Sequence, residues 1–308
     1  MPLFSRISLK PISIGLLRLR SPQTCPKMST NVPNFEYLAV TNPKEYVVHV
    51  ELNRPDKLNA LNASFFEEIQ HCFESLSDNE NCRTIVLSGA GRVFTAGLDL
   101  KGLTETLIPE VSQIEDVARK AKIFMKYIKL YQQSVSSLDL CTKPVIVAVH
   151  NACIGAGVDY ITAADIRYCT KDAYFQVKEV DIGMAADIGT LQRLPKVIGS
   201  DSLARELCYT CRKLPASEAL SSGLVSNVYE NKEEMLQSAV QLAEEIAKKS
   251  PVAVQTTKAS LRYSRDHSVQ QGLDHIAILN QGYLQSEDLV NATVGQLTKN
   301  PDIVFSKL

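Results

Sequence analysis

Three short runs of apolar, largely β-branched residues mark the first half of the chain: Tyr46–Leu52, Thr84–Ser88 and Lys143–His150. Each is the length of a buried strand. Between the first two, Phe66, Ile69, Phe73 and Leu76 recur at helical spacing, which predicts a helix over Ala63–Leu76 with one apolar face. A looser stripe of Ile114, Val117, Ile123, Ile128 and Val135 predicts one long helix over Val111–Leu138, broken by Cys141-Thr-Lys-Pro144. Beyond Gly199 the pattern becomes helical throughout: Leu203–Tyr209 and Ala216–Ser222 are short, and Lys232–Lys249, Pro251–Tyr263 and His267–Gln285 are long. Strands alternating with helices, then helices alone, predict an α/β core followed by an all-helical region.

The stretch that organises the rest is Cys153–Gly199. The strand at 143–150 runs into Asn151-Ala-Cys-Ile-Gly-Ala-Gly157, which reads as a small-residue turn rather than a strand. A helix is expected from Val158, with Val158, Ile161, Thr162 and Asp165 on nearby turns. A strand, a turn of small residues and a helix leave backbone N–H groups free at the helix N-terminus, ready for a developing negative charge. Close helix–sheet packing would need the same small residues.

Three of the acids in this stretch, Asp159, Glu179 and Asp187, stand in suggestive places. Asp159 falls in the first helical turn, where the dipole favours an acid. In Tyr174–Glu179 a period of two puts Phe175, Val177 and Glu179 on one face. Burial there would raise the glutamate's pKa towards that of a useful general acid or base. Asp187 precedes Ile-Gly-Thr-Leu-Gln-Arg-Leu194, and taken singly it reads as a helix N-cap. Asp99, before Leu100, reads in the same way as a turn or cap acid.

Composition narrows the class. A 308-residue chain with a formal net charge of −1 can bury one sizeable core and gives no electrostatic argument for nucleic-acid binding or membrane attraction. Eight cysteines in this length do not make a disulfide scaffold, and Cys208-Tyr-Thr-Cys211 alone does not announce a metal site. His150 ends a strand beside the small-residue turn, and a backbone-bonded structural role suits it. No nucleotide-binding glycine fingerprint or nucleophile elbow is present. Residues 1–35 carry Arg6, Lys10, Arg18, Arg20 and Lys27 but no acid, as a mitochondrial presequence would. Its apolar core is too short to span a bilayer, so no stable membrane insertion is expected. Ser306-Lys307-Leu308 matches a peroxisomal address. Two addresses predict residence in both the mitochondrial matrix and the peroxisome, with a peroxisomal import receptor as one partner.

Together these residues resemble the crotonase (enoyl-CoA hydratase/isomerase) superfamily, from about Glu36 to the C-terminus. Leu52-Asn-Arg-Pro-Asp-Lys-Leu-Asn-Ala-Leu61 looks like its opening signature, Phe94-Thr-Ala-Gly-Leu-Asp-Leu100 like its first oxyanion-hole segment, and Ile154-Gly-Ala-Gly-Val-Asp159 like the second. Asp165-Ile-Arg-Tyr168 resembles the helix-to-strand step that follows. The resemblance implies a ββα spiral core over 36–230 and a helical oligomerisation region over 231–308, assembling as a homotrimer or homohexamer. It implies an acyl-CoA thioester as substrate, coenzyme A being part of the substrate and no separate cofactor or metal being required. Substrate contacts fall on Ala96, Gly97, Leu98, Asp99, Leu100 and Ala156, with the N–H groups of Leu98 and Ala156 as the oxyanion hole. One departure is Ala156, where the usual turn has a glycine; alanine still donates if its φ stays negative. Coenzyme A is expected against Arg54–Leu58 and the Ala96–Leu100 loop.

Family hydratases have glutamates at the positions of Asp159 and Glu179. The trio Asp159, Glu179 and Asp187 resembles instead the branch that shifts double bonds from 3,5 to 2,4 in dienoyl thioesters. That implies proton removal at C2, a trienolate held by the oxyanion hole and reprotonation at C6. Glu179 and Asp187 form the working pair, with a leaning towards Asp187 at C2, and Asp159 tunes the pair or orients the diene. The alternatives are a 2-enoyl-CoA hydratase, or a non-catalytic crotonase-fold RNA-binding or scaffold protein; aspartate at 159 argues against the first and the presence of all three acids against the second.

Overall fold

The computed structural model of the chain describes residues 33–300 and 303–308, so the basic segment, apart from residues 33–35, lies outside the described residues. Strands β1 (Leu38–Lys44), β2 (Val47–Leu52), β3 (Thr84–Gly89), β4 (Val145–Val149), β6 (Ile166–Thr170) and β9 (Asn227–Tyr229) form one sheet in the order β1-β2-β3-β4-β6-β9. β1 and β2 pair antiparallel and the rest parallel. A second sheet joins β5 (Ala152–Ile154), β7 (Tyr174–Gln176) and β8 (Leu214–Pro215). The expected α/β spiral is present.

Helix α1 (Ala63–Asp78) begins where the Asn62 side chain accepts a hydrogen bond from Phe65 N–H at 2.9 Å. Its Phe66, Ile69, Phe73 and Leu76 are all buried, as their spacing requires. Each such side chain contributes on the order of 1.5–3 kcal/mol by leaving water. Helix α8 (Lys232–Ala247) covers the second face of the main sheet with Met235, Ala239, Ala243 and Ala247, against Val47, Val86, Ile146 and Ala148. Core packing therefore continues into the helical region.

Three expectations need correction. The long helix is two: α2 (Leu100–Ser112) and α3 (Val117–Leu140). Asp116 caps α3 by accepting from Arg119 N–H at 2.8 Å, Ile114 falls in the break, and Val117 is 79% exposed. A local cap outweighs an apolar stripe that has no buried partner. The small-residue turn contains a strand, because β5 finds a parallel partner in β7 that its composition does not advertise. Helix α4 starts at Ala156 rather than Val158 and ends at Ala163, leaving Asp165 outside it. The Asp165 carboxylate instead accepts from Val145 N–H and from Lys258, each at 2.8 Å, tying α9 (Pro251–Ser264) to the core.

Helices α6 (Asp201–Thr210) and α7 (Ala216–Ser221) are short, and the last two, α10 (Val269–Tyr283) and α11 (Glu287–Thr298), expose large apolar side chains such as Leu273, Ile278, Val290 and Val294. The C-terminal residues lie along the body, where Arg83 donates to the carbonyls of Phe305 and Ser306 and Lys307 pairs with Glu80 at 3.0 Å. Among the described residues no helix is long and apolar enough to cross a membrane.

Candidate active site

The opening signature builds a frame for the first loop of the site. Arg54 to Asn59 closes into a tight turn in which Leu58 and Asn59 take left-handed backbone conformations. Asn59 tolerates that region, and its buried amide donates to the carbonyls of Ala90, Val93 and Phe94. Its own carbonyl accepts from the Thr95 hydroxyl at 2.6 Å. Thr95 in turn pairs with β5: its N–H donates to Ala152 at 3.1 Å, and its carbonyl accepts from Ile154 N–H at 3.2 Å. The two oxyanion-hole segments expected from sequence are therefore laced side by side.

Gly97 lies at the closest approach. It has φ of +87°, and a β-carbon there would come within 2.7 Å of the Ile154 carbonyl oxygen and 3.6 Å of the Ala156 nitrogen. Gly155 takes the other left-handed position at +51°, so Ala156 begins α4 without positive φ. The substitution of alanine at 156 costs no strain. The N–H groups of Leu98 and Ala156 make no hydrogen bond among the described residues, and both residues line one cavity of about 470 Å³.

That cavity is walled chiefly by apolar side chains. Phe66 and Tyr131, stacked with centroids 4.2 Å apart, meet Leu107, Phe124 and Ile128 from α2 and α3. Ala96, Gly97, Leu98 and Leu100 also line it, as expected; Asp99 does not. Asp99 caps α2 by accepting from Gly102 N–H at 3.0 Å and binds Arg54 at 2.7 Å, and these contacts hold its carboxyl below the usual range. It faces a neighbouring cleft shared with Lys57 and Lys101.

Two of the three acids line the cavity: Glu179 and Asp187. The reasons differ from those read in the sequence. β7 ends at Gln176, and Glu179 opens a 3-10 turn over Glu179–Ile182 instead of continuing a strand. Its Oε1 lies over Gly155, 3.3 Å from where a β-carbon would be, and its Oε2 is buried without a partner. Burial raises its pKa, and the nearby Asp187 adds to the rise. Asp187 is not an N-cap. Helix α5 (Thr190–Ile198) starts after Gly189, whose φ of +146° is one that residues with a side chain rarely adopt. The Asp187 carboxyl is left free to face the cavity, and burial raises its pKa too.

Asp159 is fully buried and does not line the cavity. Its Oδ1 accepts the N–H of Thr190, so this acid caps α5 across the fold. Its Oδ2 has no hydrogen-bond partner among the described residues. Burial, reinforced by the charge of Glu179, pushes its pKa up to about 7. Between the ordinary aspartate value and about 7 the folded chain holds a proton that the unfolded chain has released. This group's contribution to stability is therefore lost across that window and absent above it. Thermal midpoints are expected to fall as pH rises from about 5 to about 8, with a flatter profile in Asp159→Asn; an unchanged slope in the variant would show that Asp159 does not titrate.

His150 donates from Nε2 to the Gly91 carbonyl at 3.0 Å and stays outside the cavity, in the structural role expected. The cavity walls contributed by α3 were not legible, because their apolar stripe reads as core.

A pair of free N–H groups shares an apolar chamber with two half-buried carboxyls, as suits the enoyl-CoA hydratase/isomerase family, and the chain belongs to it: the family's model matches residues 42–296. Solved structures agree in fold. A putative enoyl-CoA hydratase from Streptomyces coelicolor superposes with a TM-score of 0.78 at 28% identity, covering 91% of this chain and 98% of that one. Among curated proteins, the chain is 51% identical over 278 residues to human "Delta(3,5)-Delta(2,4)-dienoyl-CoA isomerase, mitochondrial", covering 89% of this chain and 84% of the relative. It is 45% identical to the peroxisomal protein of that name from Arabidopsis thaliana, covering 84% and 92%.

Proposed function

We propose that this chain converts 3,5-dienoyl-CoA thioesters to 2,4-dienoyl-CoA in the oxidation of unsaturated fatty acids. The observation that carries this reading is the pairing of Glu179 and Asp187 in one apolar cavity with the free N–H groups of Leu98 and Ala156. The thioester oxygen accepts from both N–H groups and takes up negative charge as C2 loses its proton. The electron pair of the C2–H bond enters conjugation with C3=C4 and C5=C6, giving a trienolate. Protonation at C6 then leaves double bonds at C2 and C4. An acyl chain extended away from the thioester presents C2 and C6 to different groups, so two acids are needed.

Glu179 lies beside Gly155, next to the Ala156 N–H that holds the thioester oxygen. This neighbourhood favours Glu179 as the base at C2 and leaves Asp187, whose pKa burial raises, as the acid at C6. That order reverses the one towards which the sequence leaned. The coenzyme A portion fits the cleft beside Lys57 and Lys101, since Arg54 is already engaged by Asp99. No separate cofactor enters the reaction. Self-association through the apolar faces of α9 to α11 would bury what one chain leaves exposed, in a trimer or hexamer. The two address segments and the names of the relatives support residence in mitochondria and peroxisomes.

The test is ultraviolet turnover of 3,5-octadienoyl-CoA to the conjugated product, with crotonyl-CoA hydration measured in parallel. Isomerisation well in excess of hydration is expected. Strong hydration without isomerisation would make the protein a hydratase.

A further inference from the structure

The acid assigned to C6 stands on a segment with no secondary structure of its own. Residues 183–189 connect the 3-10 turn to α5, and 183–185 are exposed. Ala186 and Ile188 reach the core, but apart from bonds to the adjoining 3-10 turn and to α5, two hydrogen bonds tie 184–190 to the rest of the described chain. One is Thr190 N–H to Asp159. The other is Gln132 Nε2 to the Asp187 carbonyl oxygen at 2.7 Å, from a residue 55 positions away on α3.

The Gln132 amide is itself oriented. Its Oε1 accepts from Lys129 Nζ at 3.1 Å, so its NH₂ end is turned towards Asp187. Gln132 follows Tyr131, which lines the cavity and stacks on Phe66, so this turn of α3 is held by the acyl-chain wall. Gln132 does not line the cavity, and its bond is to backbone, not to the reacting carboxyl. Its contact ends on the very residue whose carboxyl must meet C6.

We propose that Gln132 is a positioning residue for proton delivery: its side-chain amide, oriented by Lys129, fixes the backbone of Asp187 so that the carboxyl stays aligned with C6. This rests on the reading of Asp187 as the acid. A shift of an ångström in a reacting group is enough to cost about 100-fold in rate. Nothing in Gln132's contacts predicts a change in thioester binding.

Gln132→Leu keeps the side chain's bulk and removes the donor. Its kcat for 3,5-octadienoyl-CoA is expected to fall about 10- to 100-fold with KM within about twofold, while oligomer and melting temperature are retained. Gln132→Glu supplies a chemical rescue. A protonated carboxyl can donate to the Asp187 carbonyl, whereas an ionised one cannot, so its kcat relative to wild type is expected to rise as pH is lowered from about 6 to about 4, through the ordinary glutamate range. Amide exchange at Ile188 and Thr190, followed by mass spectrometry, should quicken in Gln132→Leu. Quickened exchange with unchanged kcat overturns the catalytic role but leaves the reaction assignment intact. A parallel loss of kcat and rise in KM, or no pH rescue in Gln132→Glu, also overturns it. An Asp187→Asn variant that turns over normally overturns the reaction assignment, and this inference with it.

Discussion

Glu179→Gln is expected to lower kcat for dienoyl-CoA isomerisation by about 10²- to 10⁴-fold, the usual worth of a positioned general base. Glutamine has the same shape and can occupy the space over Gly155, but it cannot take a proton from C2. KM should change little, because the cavity walls and both N–H donors are untouched. The companion variant Asp187→Asn separates the half-reactions. With Glu179 intact and the C6 acid gone, exchange of the C2 protons with D₂O should persist while the 2,4-dienoyl product does not form. In Glu179→Gln the exchange itself should stop. If the two variants show the opposite pattern, Asp187 serves C2 and the order of the acids is the one first read in the sequence. If both keep full turnover, neither acid is catalytic.

Gly97→Ala should be nearly as damaging, although no side chain acts there. The backbone at 97 has φ of +87°, and the new methyl would lie 2.7 Å from the Ile154 carbonyl oxygen. Relief requires the 96–98 loop and the 154–156 segment to part, which moves the N–H groups of Leu98 and Ala156 relative to one another. Loss of one oxyanion-hole donor costs about 10²- to 10³-fold in kcat. Because these donors matter most once charge has developed, product binding should suffer much less than turnover. Kinetics on the folded variant, with its oligomeric state checked, decide the point: a kcat near wild type would mean the hole is formed by other groups.

The parts of this fold that the sequence made legible are those in which local chemistry and burial agree. Phe66, Ile69, Phe73 and Leu76 announced α1 because one continuous face of that helix is buried, and the β-branched runs announced β3 and β4 because both faces of those strands are covered. What was lost depended on distant partners. β5 exists through its pairing with β7, and nothing in Ala-Cys-Ile indicates that. The break between α2 and α3 came from a capping aspartate inside an apolar pattern. At the site, four of the residues singled out, Leu98, Ala156, Glu179 and Asp187, line one cavity, yet the local roles inferred for Glu179 and Asp187 did not hold. A strand phase ended early at one, and a glycine took the cap position at the other. Asp159, read locally as a first-turn acid of its own helix, turned out to cap another helix across the fold.

The lacing of Thr95 to β5 gives the two halves of this chemistry different mechanical origins. The N–H donors are fixtures of a sheet edge, inherited from the core. The carboxyls project from a 3-10 turn and from a connector held by a few side-chain contacts. Electrophile activation and proton routing can therefore be altered separately. Exchanging acids within 179–187 should redirect which carbon receives a proton without dismantling the means of forming an enolate, which makes this connector the natural segment to diversify when regiochemistry is to be redesigned.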